Sequence, residues 1–386
     1  MPMGRRIQKQ KPRPPRKTRL QQLRPTYRLI NRQPVTKKNL LLIVKIRPIQ
    51  LRNPIPRNRG ANRSTRIPRP RPKPHQNPNP IQTVLQKRSP TSISKNHRKF
   101  RLSSMPSYTE KLFTAQDGLR LYFRDYGEAN RATTPILCLS GLTRNSKDFH
   151  RTAERLSKTH RVVAMDYRGR GQSERDSDPY NYIPTTYLND ARHLLTLLGL
   201  HKVIIIGTSL GGLLAMGMAL VMPSAIKAVI LNDIGPEVAN NGRERIMEYI
   251  GTDTSPADWD AAAAELREKF PTLSLRSDQE WREAAEATYR IDDDGVFHPD
   301  WDLKMVKPLL RDGDLPDLWP LFYALKQIPV LGIRGEVSDL LLPETFERMA
   351  NSHPDFTSVT IPETGHVPSL WEPQSEAAID GFLARL

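Results

Sequence analysis

From about residue 108 onward, short apolar runs alternate with segments whose apolar residues repeat at helical spacing. The apolar runs have the length of buried strands and lie at residues 135–139, 161–165, 203–206, 226–231, 329–333 and 357–361. Helices are expected between them, at about 148–157, 185–198, 210–222, 343–350 and from 375. An alternating run at 119–123 predicts one earlier antiparallel strand. Strands that alternate with helices predict an α/β fold, with a mostly parallel sheet flanked by helices.

This alternation stops at Pro236 and resumes at Pro329. The residues between are polar, rich in helix formers, and contain no convincing strand. We therefore expect a helical cap insertion at about 236–326, over the carboxyl edge of the sheet, where α/β sheets bind ligands. Aromatic residues of the cap either pack it onto the core or line a cavity that favours an apolar or aromatic acyl group. Four of the five tryptophans lie in the cap: Trp259, Trp281, Trp301 and Trp319.

Composition divides the chain near residue 105. Residues 1–105 hold 29 of the 59 Lys and Arg, 16 of the 34 Pro and no Asp or Glu. The remaining residues hold 30 basic and all 41 acidic side chains, so the net charge of +18 describes neither part. High like charge, frequent proline and few aromatics predict a disordered basic tail. Residues 106–386 are then one α/β domain of ordinary size.

Three interpretations of the tail at 1–105 remain open. A basic arm binds nucleic acid or an anionic surface through counterion release. An Arg-rich segment without acids also suits organelle targeting, although its prolines interrupt any amphipathic helix. The third interpretation, which we favour, is a tail without selected function, upstream of a true start at Met105. No run approaches the roughly 20 apolar residues of a membrane helix, and the lone Cys138 excludes an intramolecular disulfide, so we expect a cytoplasmic protein.

The stretch at 207–211 reads Gly-Thr-Ser-Leu-Gly, directly after an apolar strand and directly before a helical segment. In this context the serine of Gly-x-Ser-x-Gly lies on a sharp turn and exposes its hydroxyl over the end of the sheet. Gly207 and Gly211 lack a Cβ, so neighbouring backbone can pass close to the serine. Ser209 is therefore the candidate nucleophile for attack on a carbonyl carbon.

A serine nucleophile needs a base and an acid that orients the base. His366 follows the strand at 357–361 and is the candidate base, whereas His298 and His353 are weaker candidates. Asp339 and Asp233 both follow strands. We favour Asp339 as the triad acid, because its strand is expected beside the one that delivers the histidine, and keep Asp233 as the alternative.

Oxyanion donors are expected from two backbone N–H groups. Leu210 follows the nucleophile, and Leu142 lies in the turn Ser140-Gly141-Leu142 after the strand at 135–139. In the same turn, Arg144 is either an exposed loop residue or a ligand for a substrate carboxylate. The stretch Asp-Tyr-Arg-Gly-Arg-Gly-Gln-Ser at 166–173 matches no phosphate-binding pattern, and we interpret it as a loop that supports the wall of the site.

These motifs, together with Gly365-His366, resemble in order and context those of the α/β-hydrolase fold superfamily. Within it, residues 108–386 look like the small bacterial esterase, enol-lactonase and C–C hydrolase group with a helical cap. The resemblance implies Ser209 as nucleophile, Asp339 as acid, His366 as base, and Leu142 and Leu210 as oxyanion donors. Ser140 departs from the His that many members have before this glycine, and a Ser nucleophile argues against the haloalkane dehalogenases, which use Asp.

The expected activity is hydrolysis of a small-molecule ester, thioester or lactone through an acyl-enzyme. No clustered ligand spacing suggests a metal, and the reaction needs no organic cofactor. Two alternatives remain, namely hydrolysis of a C–C bond in a diketone-type substrate and a non-catalytic binding protein whose tail binds nucleic acid. Substrate identity and oligomeric state are left open by the sequence.

Overall fold

An eight-stranded sheet crosses the part of the chain that the computed structural model describes, residues 107–310 and 316–386. Its strands are β1 (Tyr108–Thr114), β2 (Arg120–Tyr126), β3 (Ile136–Leu139), β4 (Val162–Met165), β5 (Val203–Thr208), β6 (Ile226–Asn232), β9 (Val330–Gly335) and β10 (Phe356–Ile361). Their order is β1-β2-β4-β3-β5-β6-β9-β10. The first two pairings are antiparallel and the other five are parallel. The predicted tail at residues 1–105 lies outside the described residues.

Ten α-helices accompany the strands within these described ranges. They are α1 (His150–Leu156), α2 (Pro184–Leu197), α3 (Leu210–Val221), α4 (Asn240–Ile250), α5 (Trp259–Lys269), α6 (Asp278–Thr288), α7 (Val306–Leu309), α8 (Trp319–Tyr323), α9 (Pro343–Ser352) and α10 (Pro373–Ala384). The predicted α/β fold class is confirmed, with strand and helix limits shifted by a few residues. No helix in this part of the chain has the length and apolar character to cross a bilayer.

Strand β1 escaped the sequence analysis because of its place in the sheet. It is an edge strand, and four of its seven residues are exposed. An exposed edge strand needs few apolar residues, so the alternation that indicates a half-buried strand is weak there. Its partner β2 also extends beyond the predicted 119–123, to Tyr126.

Helices α4 to α8 occupy the predicted cap interval between β6 and β9. The expectation that this interval holds no strand is wrong. Two three-residue strands, β7 (Tyr289–Ile291) and β8 (Phe297–Pro299), pair as an antiparallel hairpin. A turn with Gly295 at φ 81° joins them, and Asp292 accepts hydrogen bonds from the backbone of this turn. Strands of three residues are too short for a recognisable alternation.

The central strands of the sheet are buried, and the site lies at the ends of these strands. All residues of β3, β4 and β5 are buried. Cys138 is among them, and burial raises the pKa of its thiol, as suits an inert core residue. Helix α3 packs so closely on this layer that a Cβ on Gly211 would lie 1.9 Å from the backbone oxygen of Leu139.

Gly211→Ala is therefore expected to destabilise the protein strongly. The new methyl group meets backbone that cannot move aside, so the cost is about 3 kcal/mol or more, equivalent to a fall in Tm of roughly 6–12 °C. Gly381→Ala in α10 is the matched control. A Cβ there meets nothing within 4 Å, and alanine favours a helix by about 0.5–1 kcal/mol. Calorimetry checks the pair, and equal Tm values would contradict the packing argument.

Candidate active site

Ser209 lies on the sharp turn between β5 and α3. Its backbone has φ 51° and ψ −116°, which is strained for a residue other than glycine. The turn closes tightly, because a Cβ on Gly207 would lie 2.5 Å from the oxygen of Gly211. The Ser209 N–H donates to Asn232 O at the end of β6, at 3.0 Å. The turn predicted from Gly-x-Ser-x-Gly is thus present.

His366 reaches the serine from the loop after β10. Its Nε2 lies 3.1 Å from Ser209 Oγ, and its side chain is only 9% exposed. The preceding Gly365 donates its N–H to Thr272 O in the cap, at 2.7 Å. The histidine loop is therefore held between the sheet and the cap.

Asp233 is the carboxylate that contacts the histidine. Its Oδ2 lies 2.7 Å from His366 Nδ1 and also accepts from Ser338 Oγ at 2.6 Å, and its Oδ1 accepts from Gly335 N at 2.9 Å. The side chain is fully buried. In the tautomer of His366 that carries hydrogen on Nδ1, the Asp233 carboxylate accepts from Nδ1, and Nε2 is an acceptor that faces the serine hydroxyl.

The prediction of Asp339 as the acid beside the histidine is wrong. Its carboxylate forms a bidentate ion pair with Arg245 of α4, at 2.9 Å for both bonds, and is 40% exposed. Burial acts to raise the pKa of Asp339, but the Arg245 guanidinium outweighs it and holds that pKa below its usual range. The alternative candidate, Asp233, is the carboxylate that contacts the histidine.

The order of the strands explains why Asp233, and not Asp339, contacts the histidine. Strand β6 lies between β5 and β9, and Thr208 of β5 pairs with Asn232 of β6. Asp233 follows Asn232 at once with φ 53°, whereas Asp339 lies four residues beyond the end of β9. The loop of Asp339 contributes in another way, because its Ser338 hydroxyl donates to Asp233.

Both expected oxyanion donors lack a hydrogen-bond partner among the described residues. Leu210 is the first residue of α3, where N–H groups have no intrahelical partner. Within 107–310 and 316–386, neither the Leu142 N–H nor the Leu210 N–H has a hydrogen-bond partner. The Leu142 carbonyl is held on the other side by the Arg170 side chain. The turn passes beside Ser209, because a Cβ on Gly141 would lie 3.8 Å from Ser209 Cβ.

The loop at 166–173 is structural, as predicted. Buried Asp166 accepts from the N–H groups of Ser146 and Gln172 at 2.7 and 2.9 Å, and burial raises its pKa to about 6. Arg170, which is almost fully buried, links this loop to Leu142. The loop therefore fixes the turn that carries one expected oxyanion donor.

Glu372 is a buried residue beside the site, and the sequence analysis missed it. Its carboxylate accepts from Ser369 N at 2.6 Å, from Ser375 Oγ at 2.6 Å, and from the hydroxyl of Ser274 in the cap. Burial acts to raise its pKa, but these hydrogen bonds outweigh burial and keep the pKa below its usual range. Glu372 thus ties the histidine loop to the cap. One buried Glu among three serines has no pattern that distinguishes it in sequence.

A cavity of about 380 Å³ contains Ser209 and His366. Its walls come from the sheet edge and the cap, and its apolar lining includes Leu142, Leu266, Phe270, Leu273 and Trp371. The four cap tryptophans are not among its lining residues; they pack within the cap or against the core, as Trp259 does on Phe297.

The weaker histidine candidates lie elsewhere. His298 Nε2 lies 2.9 Å from Asp292 in the cap hairpin, and buried His353 contacts Leu325 O through Nε2. Among the described residues, no group of three His, Cys, Asp or Glu side chains is arranged to hold a metal ion.

Comparison with known proteins gives consistent matches. Residues 134–280 match the family model of the alpha/beta hydrolase fold. A 3-hydroxybutyrate-oligomer hydrolase of Cupriavidus necator is 32% identical over 273 residues, which are 68% of this chain and 92% of that protein. A 2-(acetamidomethylene)succinate hydrolase of Mesorhizobium japonicum is 25% identical over 250 residues, 64% of this chain and 87% of that protein.

Among solved structures, an alpha/beta hydrolase from Novosphingobium aromaticivorans superposes with a TM-score of 0.70 and is 41% identical. The match covers 73% of this chain and all of that one. With the eight-stranded sheet and the strained Ser209 turn, these relatives establish that the chain belongs to the alpha/beta hydrolase superfamily and is a hydrolase.

Proposed function

We propose that the protein is a serine hydrolase that cleaves a small-molecule ester, thioester or lactone through an acyl-enzyme on Ser209. The single observation that carries this proposal is the continuous chain of contacts from Ser209 Oγ through His366 to Asp233, at 3.1 and 2.7 Å. Such a chain makes a weakly nucleophilic hydroxyl reactive near neutral pH.

In the first half-reaction, Ser209 Oγ attacks the carbonyl carbon while His366 Nε2 accepts the hydroxyl proton. Buried Asp233 stabilises the imidazolium that forms, and the hydroxyl of Ser338 and the N–H of Gly335 keep the carboxylate in place. The free N–H groups of Leu142 and Leu210 are proposed to bind the oxyanion. His366 then protonates the leaving group and later activates the water that releases the acyl group.

The names of the relatives support an ester as the bond that is cleaved. One of them is named as a 3-hydroxybutyrate-oligomer hydrolase, and hydroxy acids condense through ester bonds. No observation of this chain favours C–C bond cleavage or a non-catalytic binding role over ester hydrolysis. Nucleic-acid binding by residues 1–105 stays a prediction, since that tail lies outside the described residues. A cytoplasmic location also stays a prediction.

Labelling with a fluorophosphonate tests the proposal. We expect one adduct per chain, on the peptide that contains Ser209, because a fluorophosphonate reacts with a serine that a neighbouring base activates. Ser209→Ala should not be labelled, and heat-denatured wild-type protein should lose labelling because the His366 contact is lost. Native protein that stays unlabelled, or that is labelled equally after denaturation, would contradict an activated serine.

A further inference from the structure

The histidine loop, between β10 and α10, is held on both sides of His366 by one short segment. That segment is the loop between α5 and α6, which we call the α5–α6 loop. One residue before the histidine, the Gly365 N–H donates to Thr272 O at 2.7 Å. Three residues after it, the Ser369 N–H donates to Ser274 Oγ at 3.2 Å. The backbone on either side of the imidazole is therefore bonded to the α5–α6 loop.

Glu372 joins this contact to the core of the protein. Its Oε1 accepts from Ser274 Oγ and from Ser369 N, the latter at 2.6 Å, and its Oε2 accepts from Ser375 Oγ at 2.6 Å. Glu372 directly precedes α10, a helix whose Ile379 is part of the main hydrophobic core. Hydrogen bonds to an ionised carboxylate are roughly twice as strong as those between neutral groups. Because Glu372 is only 8% exposed, water competes little for these bonds.

The histidine loop also contacts the sheet, through Asn232. The Asn232 Nδ2 donates to Pro368 O at 2.9 Å. The α5–α6 loop approaches the histidine loop so closely that a Cβ on Gly365 would lie 2.1 Å from Thr272 Oγ1. The position of the His366 imidazole thus depends on contacts with both the sheet and the α5–α6 loop. A displacement of about 1 Å in a reacting group can cost about 10²-fold in rate.

The α5–α6 loop borders the cavity as well. Leu273 and Leu275, on either side of Ser274, line the cavity that contains Ser209. Both also pack against the buried cluster of α5 and α6 around Trp281. The same short loop therefore forms part of the cavity wall and holds the histidine loop.

We propose that Ser274 and Glu372 are positioning residues for His366, which hold its imidazole in line with Ser209 during acylation. This inference rests on the proposed serine hydrolase function. Neither residue touches the reacting atoms, and both act through the backbone of the histidine loop. The α5–α6 loop then contributes to the chemical step, because transfer of the Ser209 proton depends on the distance from Oγ to Nε2.

Two substitutions test the contact. Ser274→Ala deletes its hydroxyl, and Glu372→Gln replaces an acceptor oxygen with an amide nitrogen in a side chain of the same shape. We expect each to lower the acylation rate constant for 4-nitrophenyl acetate by about 10–100-fold and to change Kd of the ester by less than about threefold. The burst of 4-nitrophenolate in stopped flow measures both constants, and the rate of fluorophosphonate labelling should fall in parallel. Ser255→Ala, at an exposed position between α4 and α5, is the matched control and should keep wild-type rates.

A double variant shows whether the two side chains act through one contact. If they do, Ser274→Ala combined with Glu372→Gln should be slower than the slower single variant by no more than about threefold. Losses that multiply would show that the two side chains act separately and would contradict a shared positioning contact.

A Tm measurement on each variant separates positioning from folding. Variants that are less stable but react at the wild-type rate below their Tm would overturn the positioning role, and so would a loss confined to Kd of the ester. Ser274→Ala removes a single oxygen atom, so it decides the question if Glu372→Gln does not fold. If the wild-type protein is neither labelled at Ser209 nor able to hydrolyse a 4-nitrophenyl ester, the serine hydrolase proposal itself fails, and this inference fails with it.

Discussion

Asp233→Asn is expected to lower kcat for a 4-nitrophenyl ester by about 10⁴-fold. The asparagine fits the same space but offers Nδ1 of His366 an amide in place of a carboxylate. The imidazole then loses the partner that fixes its tautomer and stabilises its charged form. Steady-state kinetics of the purified variant, with a Tm measurement to exclude unfolding, checks the result.

Asp339→Asn is the matched control for this substitution. Its carboxylate pairs with Arg245 at the surface of the cap, so its loss should change kcat by less than tenfold. The two variants differ by the same atoms and separate the sequence-based assignment from the structural one. A large loss in Asp339→Asn with little loss in Asp233→Asn would restore the assignment made from sequence.

Ser209→Ala is expected to reduce kcat by about 10⁴-fold or more, because no other group can form the acyl-enzyme. Residual turnover should show no burst of 4-nitrophenol, since the covalent intermediate is absent. Ser358→Ala, an exposed position of β10, is the matched control and should behave as wild type. Wild-type turnover by Ser209→Ala would remove the basis of the proposed mechanism.

Local patterns were sufficient to select Ser209 and His366, which the structure brings into contact. The strand before Ser209 and the glycines around it specify a turn that hardly depends on the rest of the chain. His366 could be selected because it follows a strand, so it had to lie at the carboxyl edge of a parallel sheet. The helices between residues 236 and 326 were likewise visible as an interruption of the α/β alternation.

Local patterns could not identify which aspartate contacts the histidine. Asp233 and Asp339 both follow strands, and the path of each loop decides which of them reaches the histidine. Asp233 comes directly after β6 with φ 53°, whereas Asp339 lies four residues beyond the end of β9. The partner of Asp339, Arg245, comes from a cap helix 94 positions away in sequence. No local pattern reports such a contact.

The amino-acid sequence by itself determined the α/β architecture, the strained serine turn and the histidine at the sheet edge, because these follow from short-range periodicity and backbone sterics. Tertiary structure alone decided which carboxylate reaches the imidazole and which side chains tie the histidine loop to the cap. Those features depend on contacts between residues distant in the chain, whose geometry is set only when sheet and cap pack together.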